Sequence, residues 1–535
     1  MSISLQTAVC WMLIVSFYVN IAEAQVPAVC SDNESLTNEK CCPDPSEDGT
    51  AGECSSNNNR GTCVAVSTIC YANYEEDSTP EIRLNWPTHY FTQMCKCNGR
   101  YGGYDCSECQ FGWGGDNCDM KLPLRTRSSI TAKTPAEWTK YNDQLKVAKN
   151  TNSRYVILVP TNDSDLSTAI VRNITVLDLF SWIHEFSAKT NQDYLESGSA
   201  NDYAHESAGF PTWHRLFLLM LEREIQLAVG DSTFSLSYWD WTNFEGQSDW
   251  KDLIFNDQKL GGYTENGAVT GEYYGPEQWQ TVCWFKDPNN GSTCDPEDTR
   301  GIYPLIRCPS NPSCTAAEGL FPKAQDASRA LYNYNVWRDT SGDEPYAVFN
   351  KYAKRSFGNA LEGFDANPDD DIYPFDPRLT TVTIANINLT RYLHNTGHII
   401  VGIGDFTTDL SSGEAGTMGS VGASPNDPIF YNHHTMIDCL LEKWLLNNTD
   451  KPYVGPEGER QFAGHGPGDC IVPFMPLYTH LDMYQTANNF GYSCDLRDFP
   501  PPEEPKSGTA HQLSCSNCVL TMLSVAMVLF ATSAY

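Results

Sequence analysis

The chain has 535 residues with 67 acidic against 35 basic side chains, a formal net charge of −32 at pH 7, 41% hydrophobic residues and 12% aromatic ones. That acidity speaks against a nucleic-acid partner, because phosphate backbones require basic patches, and it reads as an ordinary solvated surface. Thirteen tryptophans argue against extensive disorder, and the length allows a large core with a smaller module beside it.

Residues 1–24 read as a signal peptide. Ala8–Val19 is a short apolar run, and Ala22-Glu23-Ala24 supplies the small residues a signal peptidase needs, leaving Gln25 as the first mature residue. The segment before the apolar run lacks Lys and Arg. Twenty-one cysteines and six Asn-x-Ser/Thr sequons, at Asn33, Asn162, Asn173, Asn290, Asn388 and Asn447, agree with passage through an oxidising lumen. Residues 25–120 form a Cys-rich domain with eleven cysteines between Cys30 and Cys118. The spacing Cys95-Lys-Cys97-x8-Cys106-Ser-Glu-Cys109 and onward to Cys118, with glycines between, resembles a laminin-type EGF-like module. Zinc is the alternative for such pairs, but secretion favours disulfides. Eleven is odd, so one cysteine is free or pairs outside the module.

From about 121 cysteines become sparse and amphipathic helices take over. His184 lies in a helical pattern with Leu177 and Phe180 on its face, His205 follows in Asn-Asp-Tyr-Ala-His205, and His214 opens a helix whose face carries Phe217, Leu218, Leu221 and Ile225. Cys283, Cys294, Cys308 and Cys314 mark a loop-rich insert stapled by two local disulfides. His394 and His398 are four apart, so on a helix both imidazoles leave one face and reach one metal ion. Val401–Asn426 is a Gly-, Ser- and Thr-rich loop lying over that site, longer than the connections usual in compact domains. His433 and His434 both sit near the stripe Ile437, Leu440, Leu441, Trp444, and periodicity does not choose between them. A single histidine on an apolar stripe is more often a hydrogen-bonded core residue than a ligand. Two groups of three, drawn from eleven histidines, point instead to two metal ions with three imidazoles each, a nitrogen-rich set suited to copper, with zinc or iron as alternatives. Cys439 reads as a buried free thiol, and Cys470 pairs with Cys494.

The end of the chain is a Pro/Glu linker at 495–506, then at 507–535 small residues, a polar spacer and an apolar tail, in the order of a GPI-attachment signal. A short transmembrane anchor is the alternative, though no Lys or Arg follows the tail.

His184…His205-x8-His214, His394-x3-His398, Asn426-Asp-Pro-Ile-Phe-x2-His433-His434-x3-Asp438, Phe210-Pro-Thr-Trp-His and Tyr238-Trp-Asp-Trp together resemble the animal tyrosinase and tyrosinase-related family, over about residues 30–494. The resemblance implies a mainly α domain at 121–494, in which helices at 176–188, 212–229, 386–400 and 432–447 form a four-helix bundle around the metals. It implies two copper ions held by His184, His205, His214, His394, His398 and His434, and it marks Cys70 as the extra cysteine of the module, its partner unread. It implies O2-dependent hydroxylation of monophenols such as tyrosine and oxidation of o-diphenols such as dopa to o-quinones in melanin synthesis. Asn395 and Glu362 would hold a water that takes the phenol proton, with Glu206 a weaker candidate; Asp438 and Asp240 would orient a ligand or nearby backbone. Around the pocket Phe364, Val421 and the doubled histidine resemble tyrosinase proper. Arg391 resembles the tyrosinase-related proteins, whose sites hold zinc. Tyr203 stands where some relatives carry a thioether-forming cysteine, so that bridge is absent. The implied location is the secretory pathway, membrane-anchored on the lumenal or extracellular side, at the cell surface or melanosome. The rivals are a zinc-dependent dopachrome tautomerase, a non-enzymatic O2 carrier and a catalytically silent adhesion protein.

Overall fold

A computed structural model describes residues 23–71, 81, 83–161, 166–189, 202–205, 207–244, 250–264, 267–281, 305–307, 321–332, 361, 381–384, 387–390, 393–402, 416–455 and 463–501. The described residues through Phe499 form one compact unit. The insert cysteines, the C-terminal signal, Glu206, Glu362, Phe364 and Arg391 lie outside the described residues.

Strand β1, Ala24–Pro27, pairs antiparallel with β2, Asn152–Val159, in the register Ala24↔Leu158. Between them in sequence lies helix α1, Pro135–Asn150, opened by a Thr134/Glu137 capping box with proline in the first turn, which satisfies amide donors that have no partner inside the helix. The other edge of β2 pairs with β3, Ile170–Thr175. Thr175 ends that strand and caps the next helix, its hydroxyl accepting from the Asp178 amide.

Four helices carry or flank the histidines: α2, Val176–Ala188; α3, Phe210–Val229; α4, Leu393–Gly402; and α5, Ile429–Asn447. Helix α2 packs on α3, α3 on α5, and α4 on α5. The sequence pattern suggests amphipathic helices, yet α4 is buried at every position and α5 from Ile429 through Glu442. A helix with no solvent face belongs to the interior of a large core.

Helix α4 starts at Leu393 rather than 386, because Ile387–Thr390 pairs as a strand with Thr381–Ile384. Ile387 and Thr390 are β-branched and pair with the β-branched run Thr381–Ile384, which suits a pleated strand. Helices α3 and α5 start earlier than their histidine patterns suggest, at Phe210 and Ile429. Pro211 and Pro428 stand at those starts, where a missing amide proton costs nothing.

Within the Cys-rich part, disulfides join Cys30 to Cys41, Cys42 to Cys63, Cys54 to Cys95, Cys97 to Cys106 and Cys109 to Cys118. Cys70 is the odd one, and it crosses to Cys470. The expected Cys470–Cys494 pair is therefore wrong, as is the free thiol at Cys439. Cys439 bonds to Cys494, because the strand Tyr492–Cys494, paired with Arg125–Arg127, runs past the buried face of α5. Trp86, Tyr90 and Phe91 share one apolar cluster with Leu145, Trp182 and Phe186, while Cys42, Cys54 and Cys106 form a small cluster of their own.

Candidate metal centre

The first cluster joins three elements. Helix α2 brings His184, the turn after Asp202 brings His205, and the first turns of α3 bring His214, with one nitrogen of each within 4.8 Å of the others. Asp202 builds the middle position. Its Oδ1 accepts the amides of Ala204 and His205, and its Oδ2 lies 3.1 Å from His205 Nδ1. An Asp that turns its own backbone three residues on is a recognisable local signal, and it is the residue that reading the histidines alone misses. His214 donates from Nδ1 to the Phe210 carbonyl one turn earlier, at 2.9 Å. These contacts leave Nε2 of His205 and His214 as the free lone pairs, the arrangement in which a ligating imidazole gives its other N–H to an oxygen. Burial, reinforced by neighbouring imidazoles, holds His184 and His214 well below the ordinary histidine pKa, so both rings are neutral and able to bind a cation.

The second cluster holds four histidines, two from α4 and two from α5, all buried. His394 gives Nδ1–H to Asn395 Oδ1 and His398 gives its own to the Met418 carbonyl, each at 2.9 Å. Met418 belongs to the Val401–Asn426 segment, whose described part thus reaches the site as expected. The Nε2 atoms of His398 and His394 stand 3.0 Å apart, and those of His394 and His434 3.4 Å. Three nitrogens about 2.0–2.1 Å from one tetrahedral ion would be about 3.3 Å apart, so this triad has the dimensions of a coordination shell.

His433 does not join it. Trp241 donates its indole N–H to His433 Nδ1 at 3.2 Å. An indole nitrogen only donates, so the neutral ring keeps its proton on Nε2 and has no lone pair there for a metal. The ring lies flat on α4 at Gly397, where a Cβ would come within 2.2 Å of its Cε1. His434, the other member of the doubled pair, stacks on His214 at 4.3 Å and brings the two clusters together. Phe430 stands edge-on to His184 at 4.9 Å and tilts over His434 at 4.1 Å. Phe210 faces His214 and His394 at 4.6 and 4.7 Å. The imidazoles are therefore walled by phenyl rings, which explains their depressed basicity.

Asp240 holds nearby backbone as expected, whereas Asp438 does not. Among the described residues, Asp438 bonds to no ligand ring; it accepts from Arg127, from Arg215 and from the Tyr492 hydroxyl. Burial pushes its carboxyl upward, but Arg215 and Arg127 hold it below the usual range. It fastens α5 to α3, since Arg215 directly follows His214. Asp240 caps the turn Trp241–Asn243 and so sets the indole that faces His433. Val421 is partly buried, and its carbonyl accepts from Ser424.

The imidazoles present fit a metal pair. His214 Nε2 and both ring nitrogens of His184 are buried without a hydrogen bond of good geometry among the described residues. Leaving such atoms unpaired costs about 1–3 kcal/mol each, and a cation at the first cluster would pair one nitrogen of each of these two rings. Six such donors with no carboxylate or thiolate among them favour copper over calcium, magnesium or iron–sulfur chemistry.

Two facing triads of imidazole, buried side by side, define a dinuclear metalloprotein. The chain matches the family described as the common central domain of tyrosinase over residues 174–447. It is 32% identical to a Gallus gallus protein named tyrosinase, over 91% of this chain and 83% of that one. It is 31% identical to a Pelophylax lessonae tyrosinase over 88% and 81%, and 28% identical to a Bos taurus 5,6-dihydroxyindole-2-carboxylic acid oxidase over 97% and 90%. A solved polyphenol oxidase variant from Thermothelomyces thermophila is similar at 17% identity and a TM-score of 0.43, over 70% of this chain and 89% of that one. The chain belongs to the tyrosinase family.

Proposed function

We propose that this protein is a type-3 copper oxidase that hydroxylates monophenols and oxidises o-diphenols to o-quinones with O2, feeding melanin synthesis. The observation that carries the reading is the pair of triads: His184, His205 and His214 would hold one copper, and His394, His398 and His434 the other. The relatives named tyrosinase support it over the tautomerase and carrier alternatives. A bound copper pair supplies two-electron chemistry with O2, which neither ion alone can provide.

The protein's own contribution is positional. Asp202, the Phe210 carbonyl, Asn395 and the Met418 carbonyl aim four rings by taking their Nδ1 protons. Phe210 and Phe430 wall the site with phenyl rings, and burial holds His184, His214, His394 and His434 well below the ordinary histidine pKa. Helices α2–α5 act together as a four-helix bundle that fixes the separation of the triads. Asn395, already turned toward His394, and Glu362 would together position a water as acceptor of the phenol proton, with Glu206 in reserve. Val421 and Phe364 would line the entrance, where Arg391 would favour a carboxylate-bearing phenol. The apolar tail at 507–535 acts as a GPI signal that leaves the enzyme on the lumenal or extracellular face of the membrane; among the described residues no helix is long and apolar enough to cross one. Release of the protein by a phosphatidylinositol-specific phospholipase would check that anchor.

The test is to express the full chain, measure bound copper and zinc, and follow O2 uptake with tyrosine and then dopa. Two coppers per chain and uptake with dopa are expected, with uptake abolished in His398→Ala. Full uptake in that variant would refute the assignment.

A further inference from the structure

Two buried histidines stand outside both triads. His465 donates from Nε2 to the Asp202 carbonyl and meets the Ser207 hydroxyl with Nδ1, both at 2.6 Å. His480 donates from Nε2 to the Gly464 carbonyl at 2.6 Å and meets the Thr212 hydroxyl with Nδ1 at 2.7 Å. Carbonyls only accept, so each Nε2 carries the proton and each Nδ1 accepts from the hydroxyl. The partners are not scattered. Asp202 and Ser207 bracket His205, and Thr212 lies two residues before His214. The same C-terminal segment reaches α2 as well: the Val472 carbonyl accepts from Ser187, three residues after His184, and from Trp213, beside His214.

Gly209, between His205 and His214, is what allows this closeness. A Cβ there would stand 2.7 Å from His465 Nδ1 and from His480 Cε1, so any other residue would push both rings away. The segment is braced internally by Asp469 accepting the Gly464 and Gly466 amides, and the Cys70–Cys470 disulfide ties it to the Cys-rich part. For the second triad the contacts differ: its Nδ1 acceptors are Asn395 and the Met418 carbonyl, neither of them in this segment.

We propose that His465 and His480 are positioning residues for the first metal site alone: a clasp from the 463–480 segment that holds the His205 turn and the start of α3 in the geometry that binds copper. The inference rests on the dinuclear reading above and extends it, because it makes the affinities of the two sites separable. Asp202 orients His205 directly, and His465 holds the backbone of Asp202. Loss of outer partners of metal-bound histidines weakens binding about 10–100-fold, and the indirect contact belongs at the lower end.

The test uses the full chain stripped of metal and titrated with Cu(I) against a chromophoric competing chelator. In a His398→Ala background, which leaves the first site, adding His465→Ala is expected to raise the copper Kd about tenfold. In a His214→Ala background, which leaves the second site, the same change is expected to leave Kd unaltered. His465→Gln, which keeps an N–H for the Asp202 carbonyl, should recover most of the affinity. Ser207→Ala, which leaves both rings in place, should weaken the first site in the same direction. Asn142→Ala removes a buried side chain bonded to the Lys259 carbonyl and to Tyr274, neither of them a triad histidine or a hydrogen-bond partner of one; it serves as a destabilised control that leaves both affinities unchanged. Equal weakening of both sites, or none at either with His465→Ala and Ser207→Ala alike, would overturn the clasp. A chain without these substitutions that takes up no copper pair would instead overturn the dinuclear reading.

Discussion

Replacing Asp438 with asparagine tests whether this carboxylate serves the fold or the metal. It sits where Arg127 and Arg215 converge, with all three side chains no more than 1% exposed. Arg127 also meets Glu222 at 3.0 Å, and Arg215 meets Glu442 at 3.7 Å. Counting Arg125, which meets Glu222 at 3.9 Å, three guanidiniums face three carboxylates. The substitution keeps the shape but leaves one positive charge uncompensated in the core, and the Tyr492 hydroxyl loses a charged acceptor. Breaking a buried pair in this way costs about 3–5 kcal/mol. Denaturant unfolding of the stripped chain should show that loss. Copper affinity, measured well below the unfolding transition, should stay unchanged, because Asp438 touches the helices and not the ligand rings. A cost under about 1 kcal/mol, or a tenfold loss of copper affinity with stability intact, would refute the reasoning. Changing Asp438, Arg127 and Arg215 together to apolar residues of similar volume should restore much of the loss, since a well-packed apolar set can match a buried ionic one.

Asp202→Asn should do the reverse, weakening copper binding at the first site about 10–100-fold with a smaller effect on unfolding, as measured by competition titration. His433→Gln should keep two coppers per chain, whereas His434→Gln should keep one, by elemental analysis. Unfolded histidines take up a proton near pH 6.5, whereas burial lowers the His465 pKa to about 4 and that of His480 to about 3. Their contribution to stability is therefore complete above pH 6.5 and declines as the pH falls toward 4. His465 alone accounts for about 3 kcal/mol, and a His465→Gln chain should show a shallower acid limb in denaturant titrations. Replacing Cys439 and Cys494 together by serine opens a bond that spans 55 residues, and on the chain-entropy account should cost about 4 kcal/mol, read as a lowered denaturation midpoint.

Much of the site is legible in the linear chain because its geometry is local. His394 and His398 meet through one turn of helix, His214 sits at the head of a proline-initiated helix, and apolar neighbours announce burial around all of them. The odd cysteine of the N-terminal part is likewise a matter of parity, and Cys70 does pair outside it. The misreadings share a different cause. Cys439 looks like a buried thiol because its partner strand is 55 residues away and only the parallel pairing of Tyr492–Cys494 with Arg125–Arg127 brings it alongside. Asp438 looks like a ligand's support because it lies one turn after His434, but its direction is set by Arg127, a residue 311 positions earlier.

What the amino-acid order determined by itself was chemistry at short range: which side chains could donate nitrogen, which helices could carry them, and which elements had to be buried. The tertiary structure gave the two adjacent histidines different partners: Trp241 donates its indole N–H to His433, and His434 stacks on His214. It also decided which carboxylate steers a ligand ring and which binds helices together. Helical spacing places a side chain on a face of its own element, but the proton on an imidazole is assigned by whatever donor or acceptor another element brings against it.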